Sequence, residues 1–170
     1  MIPQRDRYGR IVTFTARALN SQATVKYLNG KDCAIYKKNS SIFGIDIALK
    51  AARQTGKVYL VEGAPDVMRL QSLGIANVVA SLGGSWSEEQ LGCFNKFGCT
   101  LCFIPDHDVP KEGELFGAGE KFVFRNGRLA TEMGFQVSVR EIPSDKGQKQ
   151  DADSYIINLE RWDSLSEKDF

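Results

Sequence analysis

The sequence has one histidine, His107, and only four cysteines, Cys33, Cys93, Cys99 and Cys102. Cys99 and Cys102 have the spacing of a zinc knuckle, but they sit inside the apolar run CTLCFI. On a strand, residues three apart point to opposite faces. The pair therefore reads as core cysteines, with a metal or redox pair as the alternative. No apolar run reaches the roughly 18 residues of a membrane helix. A secretory signal and lipidation motifs are absent too. The expectation is a soluble, cytoplasmic protein with no membrane partner. Internal repeats and low-complexity tracts are also missing.

What is present suits a globular chain. The 170 residues are 42% hydrophobic and 25% charged, enough for one domain with a smaller appendage. The net charge is only +1, but it is unevenly spread. Residues 1–57 carry eleven Lys and Arg against Asp6, Asp32 and Asp46, and most acidic residues lie downstream. Such asymmetry points to a polyanion partner. An ordinary solvated basic surface is the plainer alternative.

Residues 1–56 read as a basic, β-rich subdomain with a helical exit. RIVTFTARAL alternates apolar and polar as a half-buried strand does. RDRYGR before it reads as a hairpin turn, and VKYLNGKD as a strand ending on the Asn29-Gly30 turn. SIFGIDIALKAARQTG turns into a helix that Gly56 stops.

Residues 57–160 change rhythm to strand, helix, strand, helix. The strands are VYLV, NVVA, TLCFI and FQVSVRE. Pro65 opens the first helix and Gly74 closes it. Ser87 and Gln90 form a capping-box pattern for the second, which is expected to run to Gly98. A third helix spans 118–133, ADSYIINLE is a last short helix, and 161–170 is a polar tail. Alternation of this kind predicts an α/β domain with a four-stranded parallel sheet and right-handed crossovers. In the order 2-1-3-4, the carboxyl ends of strands 1 and 3 share the crevice where such sheets bind ligands.

Both ends carry acid. Strand 1 stops on Glu62, and strand 3 runs into Pro105-Asp106-His107-Asp108. Asp106 and Asp108, two apart in extended chain, face the same way. Three carboxylates aimed at one crevice need a cation. Hard oxygen ligands beside open space suit Mg²⁺, which takes substrate phosphates as further ligands. Phosphoryl-transfer chemistry follows. Asp151 and Asp153 stand at a further strand-to-helix junction, and Asp66 lies in the first turn after Glu62. Asp66 could instead complement a helix N-terminus, and Asp153 could be a helix cap.

VEGAPDVMRLQSLGIANVVASLG followed by FIPDHD resembles the Toprim domain, marked by Glu-Gly after its first strand and Asp-x-Asp after its third. That domain occurs in primases, topoisomerases and some nucleases. IPQRDRYGRIVTFTARAL, VKYLN and YKKNSSIFGIDIA resemble the N-terminal subdomain of the catalytic core of DnaG-type primases. GGSWSEEQL and QDADSYI also have counterparts there, and the resemblance covers about residues 1–157. It implies a Rossmann-like Toprim sheet flanked by helices behind a small basic subdomain. It further implies Mg²⁺, or Mn²⁺, held by Glu62, Asp106 and Asp108 as the catalytic carboxylates, with Asp66, Asp151 and Asp153 in support. Arg17, Lys26 and Lys38 match positions that face template or nucleotide, with surface charge as the alternative. The backbone N–H groups of Gly83 and Gly84 are candidate phosphate contacts.

The implied activity is synthesis of short RNA primers from NTPs on single-stranded DNA, with a replicative helicase as a possible partner. A DNA-acting Toprim nuclease and a non-catalytic nucleic-acid-binding module are the alternatives. Three departures stand out. His107 fills a position usually taken by glycine, and metal ligation by this His is an alternative to its pointing away. The loop VPKEGELFGAGEKFVF replaces a shorter helix start, with Gly117, Gly119 and Lys121 as substitutes. The zinc-binding and helicase-binding domains that flank the core in cellular primases have no counterpart in the sequence, as expected of an excised core or of a phage or mobile-element primase.

Overall fold

The computed structural model describes residues 1–20, 22–110, 112–143 and 149–170. Strands β1 (Ile2–Arg5), β2 (Ile11–Arg17) and β3 (Tyr27–Asn29) form an antiparallel sheet in that order. The RDRYGR hairpin closes because the Asp6 carboxylate accepts the N–H groups of Tyr8 and Arg10, at 2.9 and 3.0 Å. Gly9 supplies the left-handed residue of that turn, at φ 79°. Helix α1 (Ile45–Thr55) leads out, and Gly56, at φ 64°, ends it by donating to the Ala52 carbonyl.

The second sheet follows. In chain order come β4 (Lys57–Val61), α2 (Ala64–Ser72), β5 (Val78–Ala80), α3 (Glu88–Gly92), β6 (Thr100–Phe103), α4 (Ala118–Glu132), β7 (Val137–Arg140), α5 (Ala152–Tyr155), α6 (Leu159–Asp163) and β8 (Glu167–Asp169). Their order in the sheet is β5-β4-β6-β7-β8. The first four are parallel neighbours in the expected 2-1-3-4 arrangement.

Residues 161–170 are not a polar tail. They complete α6 and supply β8, which pairs antiparallel with β7 and makes the sheet five-stranded. Glu167 fixes that edge: it accepts from the Lys57 Nζ at 2.5 Å and the Ser138 Oγ at 2.7 Å, and pairs with Arg140 at 3.3 Å. A polar edge strand is what an open sheet margin tolerates. The ADSYIINLE segment is likewise two helices, because Asn158 caps a new one by accepting from Arg161 N at 2.9 Å. The helix begun at Ser87 stops at Gly92. A 3-10 turn, Asn95–Phe97, carries the chain on to Gly98.

Strand β4 reads as continuous apolar sequence because helices cover both sheet faces. Val58 and Leu60 pack with Ala48, Ala52, Leu101, Phe103 and Phe94 on one side. Val61 packs with Val67, Leu70, Ile104 and Tyr155 on the other. Cys99 and Cys102 are free and buried in this core, and burial holds both thiols above their ordinary range.

The N-terminal sheet docks at the carboxyl end of β5. Asn29 Nδ2 donates to the Leu82 carbonyl at 3.3 Å, and the Lys38 stem lies 3.3 Å from where a Gly83 Cβ would stand. Ser87 and Gln90 add hydrogen bonds to the carbonyls of Asn39 and Ser41.

Candidate metal centre

Leu60 on β4 is in register with Phe103 on β6, so the residues just beyond both strands emerge side by side. Ile104 N still donates to the Leu60 carbonyl at 2.9 Å. Two residues later the N–H of Asp106 donates to Glu62 Oε1 at 3.1 Å. The two acids named from separate strands are therefore in direct contact.

His107 makes a two-bond antiparallel bridge with Gln150, at 2.7 Å and 2.9 Å. That register sets Asp108 opposite Lys149 and Asp106 opposite Asp151. Alternation sends His107 to the other side from its Asp neighbours. Lys149 Nζ lies 2.7 Å from Asp108 Oδ1 and 3.5 Å from Asp106 Oδ2. The lysine side chain is 62% exposed, whereas the two aspartates are only 14% and 13% exposed. Asp108 Oδ2 is buried and has no hydrogen-bond partner among the described residues.

The start of α4 packs directly on this loop. A Cβ on Gly117 would overlap the Asp108 carbonyl oxygen, and one on Gly119 would overlap that of Asp106. Glycine at both positions lets the positive end of a 15-residue helix approach the acidic loop. Lys121 does not join the site; it pairs with Glu114 at 2.5 Å.

The supporting acids divide. Asp66 is 5% exposed. Its Oδ2 accepts the Gly63 N–H at 3.0 Å and its Oδ1 accepts the Asp153 N–H at 2.9 Å. It completes the α2 N-terminus and ties it to α5, so the helix-start reading describes what its oxygens do. Asp151, not Asp153, caps α5, accepting from Ser154 N at 2.8 Å. The Asp153 carboxylate instead pairs with Arg69 Nε at 3.1 Å. Asp66→Ala strands two N–H groups at a buried junction. It is expected to cost about 2 kcal/mol in urea denaturation, with Asp66→Asn milder because one acceptor survives.

Electrostatics bind the acids into one group. Burial, then the charge of Asp106, raises Glu62 to about 7. Burial raises Asp66 to about 7, with Asp106 and Asp151 adding to it. Burial raises Asp106 to about 6 against the pull of Lys149, with Asp151 and Asp108 pushing the same way as burial. Ionised carboxylates crowded into a poorly solvated crevice are held at a cost that a cation would remove.

Of the basic candidates, Arg17 ends β2, Lys26 directly precedes β3, and Lys38 lies in a turn between β3 and α1. Exposed Arg17 stacks over Tyr27, 5.5 Å from its ring centre, and Ala18 N bonds to the Lys26 carbonyl. Burial raises the Tyr27 hydroxyl, and Asp66, Asp153 and Asp151 add to the rise, so β3 lies within electrostatic reach of the acids. Lys38 meets the Leu82-Gly83-Gly84 turn. There Gly84 has φ 69°, and Leu82 takes φ 59°, a conformation costly for a non-glycine. Asn126, fully buried on α4, holds the far end of this turn by accepting from Trp86 N at 2.9 Å. Sequence reasoning passed over Lys149, Arg69, Tyr27 and Asn126. Only Lys149 left a visible trace, standing two residues before Asp151.

A Rossmann-like parallel sheet with Glu-Gly after one strand and Asp-x-Asp after its neighbour defines a Toprim-type domain. Residues 59–156 match the Toprim-like family, and residues 1–49 match the N-terminal domain of the DNA primase catalytic core. The chain belongs to the Toprim-like family, and its Toprim domain is of the DnaG-primase type. A DNA primase of Staphylococcus aureus is 30% identical over 156 residues, covering 92% of this chain and 24% of that protein. One from Synechococcus elongatus is 31% identical over 156 residues, covering 92% and 22%. The chain thus spans about a quarter of the length of the curated relatives it matches. Among solved structures, the Aquifex aeolicus primase (zinc-binding and RNA polymerase domains) superposes with a TM-score of 0.81 and 29% identity, over 98% of this chain and 40% of that one. A DnaG primase catalytic domain bound to ssDNA gives 0.74 and 25%, over 97% and 51%. No helix among the described residues is long and apolar enough to cross a membrane.

Toprim primases are generally metal-dependent. In the present arrangement no three acidic, His or Cys side chains among the described residues are gathered closely enough to hold an ion. The donor chemistry nevertheless fits a hard divalent cation. All the oxygens are carboxylate, one Asp108 oxygen is buried and unpartnered, and an ammonium group already stands between two of the acids.

Proposed function

We propose that this chain is the nucleotidyl-transfer core of a DNA primase, joining NTPs into short RNA primers on a single-stranded DNA template. The observation that carries this reading is the meeting of two unlike surfaces. Acids from two neighbouring strand ends, Glu62 with Asp106 and Asp108, gather beside a docked basic sheet bearing Arg17 and Lys26, with Lys38 on the intervening turn. One is built to bind a cation, and the other to bind phosphates.

Glu62, Asp106 and Asp108 would hold Mg²⁺ or Mn²⁺, with Asp66, Asp151 and Asp153 shaping the site around them. A bound divalent ion would neutralise triphosphate charge and stabilise the attacking and leaving oxygens. The chain's own residues do the rest. Glu62 accepts the Asp106 N–H and so holds the loop against β4. The glycines of α4 let the helix end press on that loop from behind. The basic subdomain, residues 1–56, would hold the template by its phosphates, so binding should weaken steeply with salt. The N–H groups of Gly83 and Gly84 would meet phosphate at the junction of the two sheets. The Toprim domain would occupy 57–160, together with the edge strand that follows.

The test is incubation of the protein with single-stranded DNA and Mg²⁺, with and without NTPs. Short labelled RNA made only with NTPs is the expected result. DNA cleavage without nucleotide would replace this reading with the nuclease one. A non-catalytic binding module, with Lys149 held permanently on Asp106 and Asp108, is the remaining alternative. It predicts DNA binding with no metal binding at all.

A further inference from the structure

We propose that Lys149 is the built-in counter-ion of the metal-free acidic site, and that a divalent cation must displace its ammonium group in order to bind. The inference rests on the metal reading above and adds a residue to which the sequence motifs assign no role.

The argument starts from geometry. The His107–Gln150 bridge fixes the backbone on both sides, so Lys149 faces Asp108 by register rather than by chance of rotamer. Its Nζ then reaches both aspartates, at 2.7 Å and 3.5 Å. A hard cation would take the same oxygen atoms at roughly 2.1 Å. An ammonium left in place would then sit within a few ångströms of a doubly charged ion, and like charges that close repel strongly. The two states therefore exclude each other.

The lysine is also made to leave. Its side chain is 62% exposed while its partners are mostly covered. An exposed ammonium on a flexible stem gains little from such a pair and returns to water cheaply. Removing it should leave the acids unbalanced and ready for metal. Because the lysine binds only the metal-free form, its loss shifts the metal equilibrium by the amount it had stabilised that form.

The experiment is Mn²⁺ titration of the protein followed by electron paramagnetic resonance, for the parent, Lys149→Met, Lys149→Arg and Asp108→Asn, with a thermal melt of each metal-free sample. Lys149→Met is expected to bind Mn²⁺ about three- to tenfold more tightly and to melt lower when metal-free. Lys149→Arg should stay near the parent. A side chain that merely supports the fold would lower the melting temperature without tightening metal binding. Equal or weaker Mn²⁺ binding by Lys149→Met, with the parent and Asp108→Asn differing as metal ligation requires, overturns the displacement inference alone. Absence of Mn²⁺ binding in the parent and in Lys149→Met alike overturns both it and the metal reading.

Discussion

Asp106→Asn is expected to abolish primer synthesis while leaving the metal-free protein at least as stable as the parent at neutral pH. The loss should exceed the roughly 10–100-fold that goes with outer-shell partners of a metal, because Asp106 is read as a direct ligand. The stability side follows from its ionisation. Burial, aided by Asp151 and Asp108, raises the Asp106 pKa to about 6 in the fold. The unfolded chain keeps it near the ordinary value of about 3.9. A carboxylate raised in this way favours the folded state while protonated. That contribution is fully present below about pH 4 and is lost as pH rises through about 6. Asparagine never ionises, so the variant escapes the loss. Its melting temperature should match or exceed the parent's above the folded pKa, and the gap should close in acid. Mg²⁺ should stabilise the parent and not the variant. Retained primer synthesis would remove Asp106 from the metal-binding role, and a variant that melts well below the parent at neutral pH would overturn the stability argument.

The same residues show how far the sequence could be read. Glu62 and the Asp106/Asp108 pair were legible because an apolar strand that stops on a carboxylate is a strong local signal. The order 2-1-3-4 then made the two stops neighbours. The capping box at Ser87 and the helix stops at Gly56 and Gly74 were equally local. What was not legible came through contacts with no local pattern. Lys149 reaches Asp108 only through a single bridge between two loops. β8 is three polar residues long, and it forms because Glu167 finds Lys57, Ser138 and Arg140 across the sheet. Asp153 was the candidate cap of the last helix, but Asp151 caps α5. Their roles separate only because Arg69, on another helix, takes Asp153. Asp66 is the subtler case. Its position near Glu62 suggested a ligand, yet both of its oxygens are occupied by backbone N–H groups.

Gly119→Ala should be strongly damaging, although it adds a single methyl group to a helix. In an exposed helix interior that exchange is worth about 1 kcal/mol in favour of alanine. Here the sign reverses. The new Cβ would overlap the carbonyl oxygen of Asp106 and lie 3.1 Å from Pro105 Cβ. The obstacle is backbone, not the tip of a flexible side chain, so either α4 or the Asp-His-Asp loop must move. Overpacking of this kind costs about 1–3 kcal/mol. The functional loss should be larger, because a displacement of about 1 Å at a reacting site costs on the order of 100-fold. Asp106 moves with its own carbonyl, and the Glu62 contact to its N–H moves too. Gly92→Ala is the control. It also adds a methyl to a helical glycine, but its Cβ would meet only Asn95 Nδ2 at 3.9 Å. The pair separates a helix effect from a site effect. Primer synthesis and Mn²⁺ affinity should both fall in Gly119→Ala and hold in Gly92→Ala. A Gly119→Ala protein that is more stable and equally active would show that the α4 helix start does not set the position of the Asp106 loop. The inserted residues between Asp108 and Gly117 would then not be what brings the helix end against the acids.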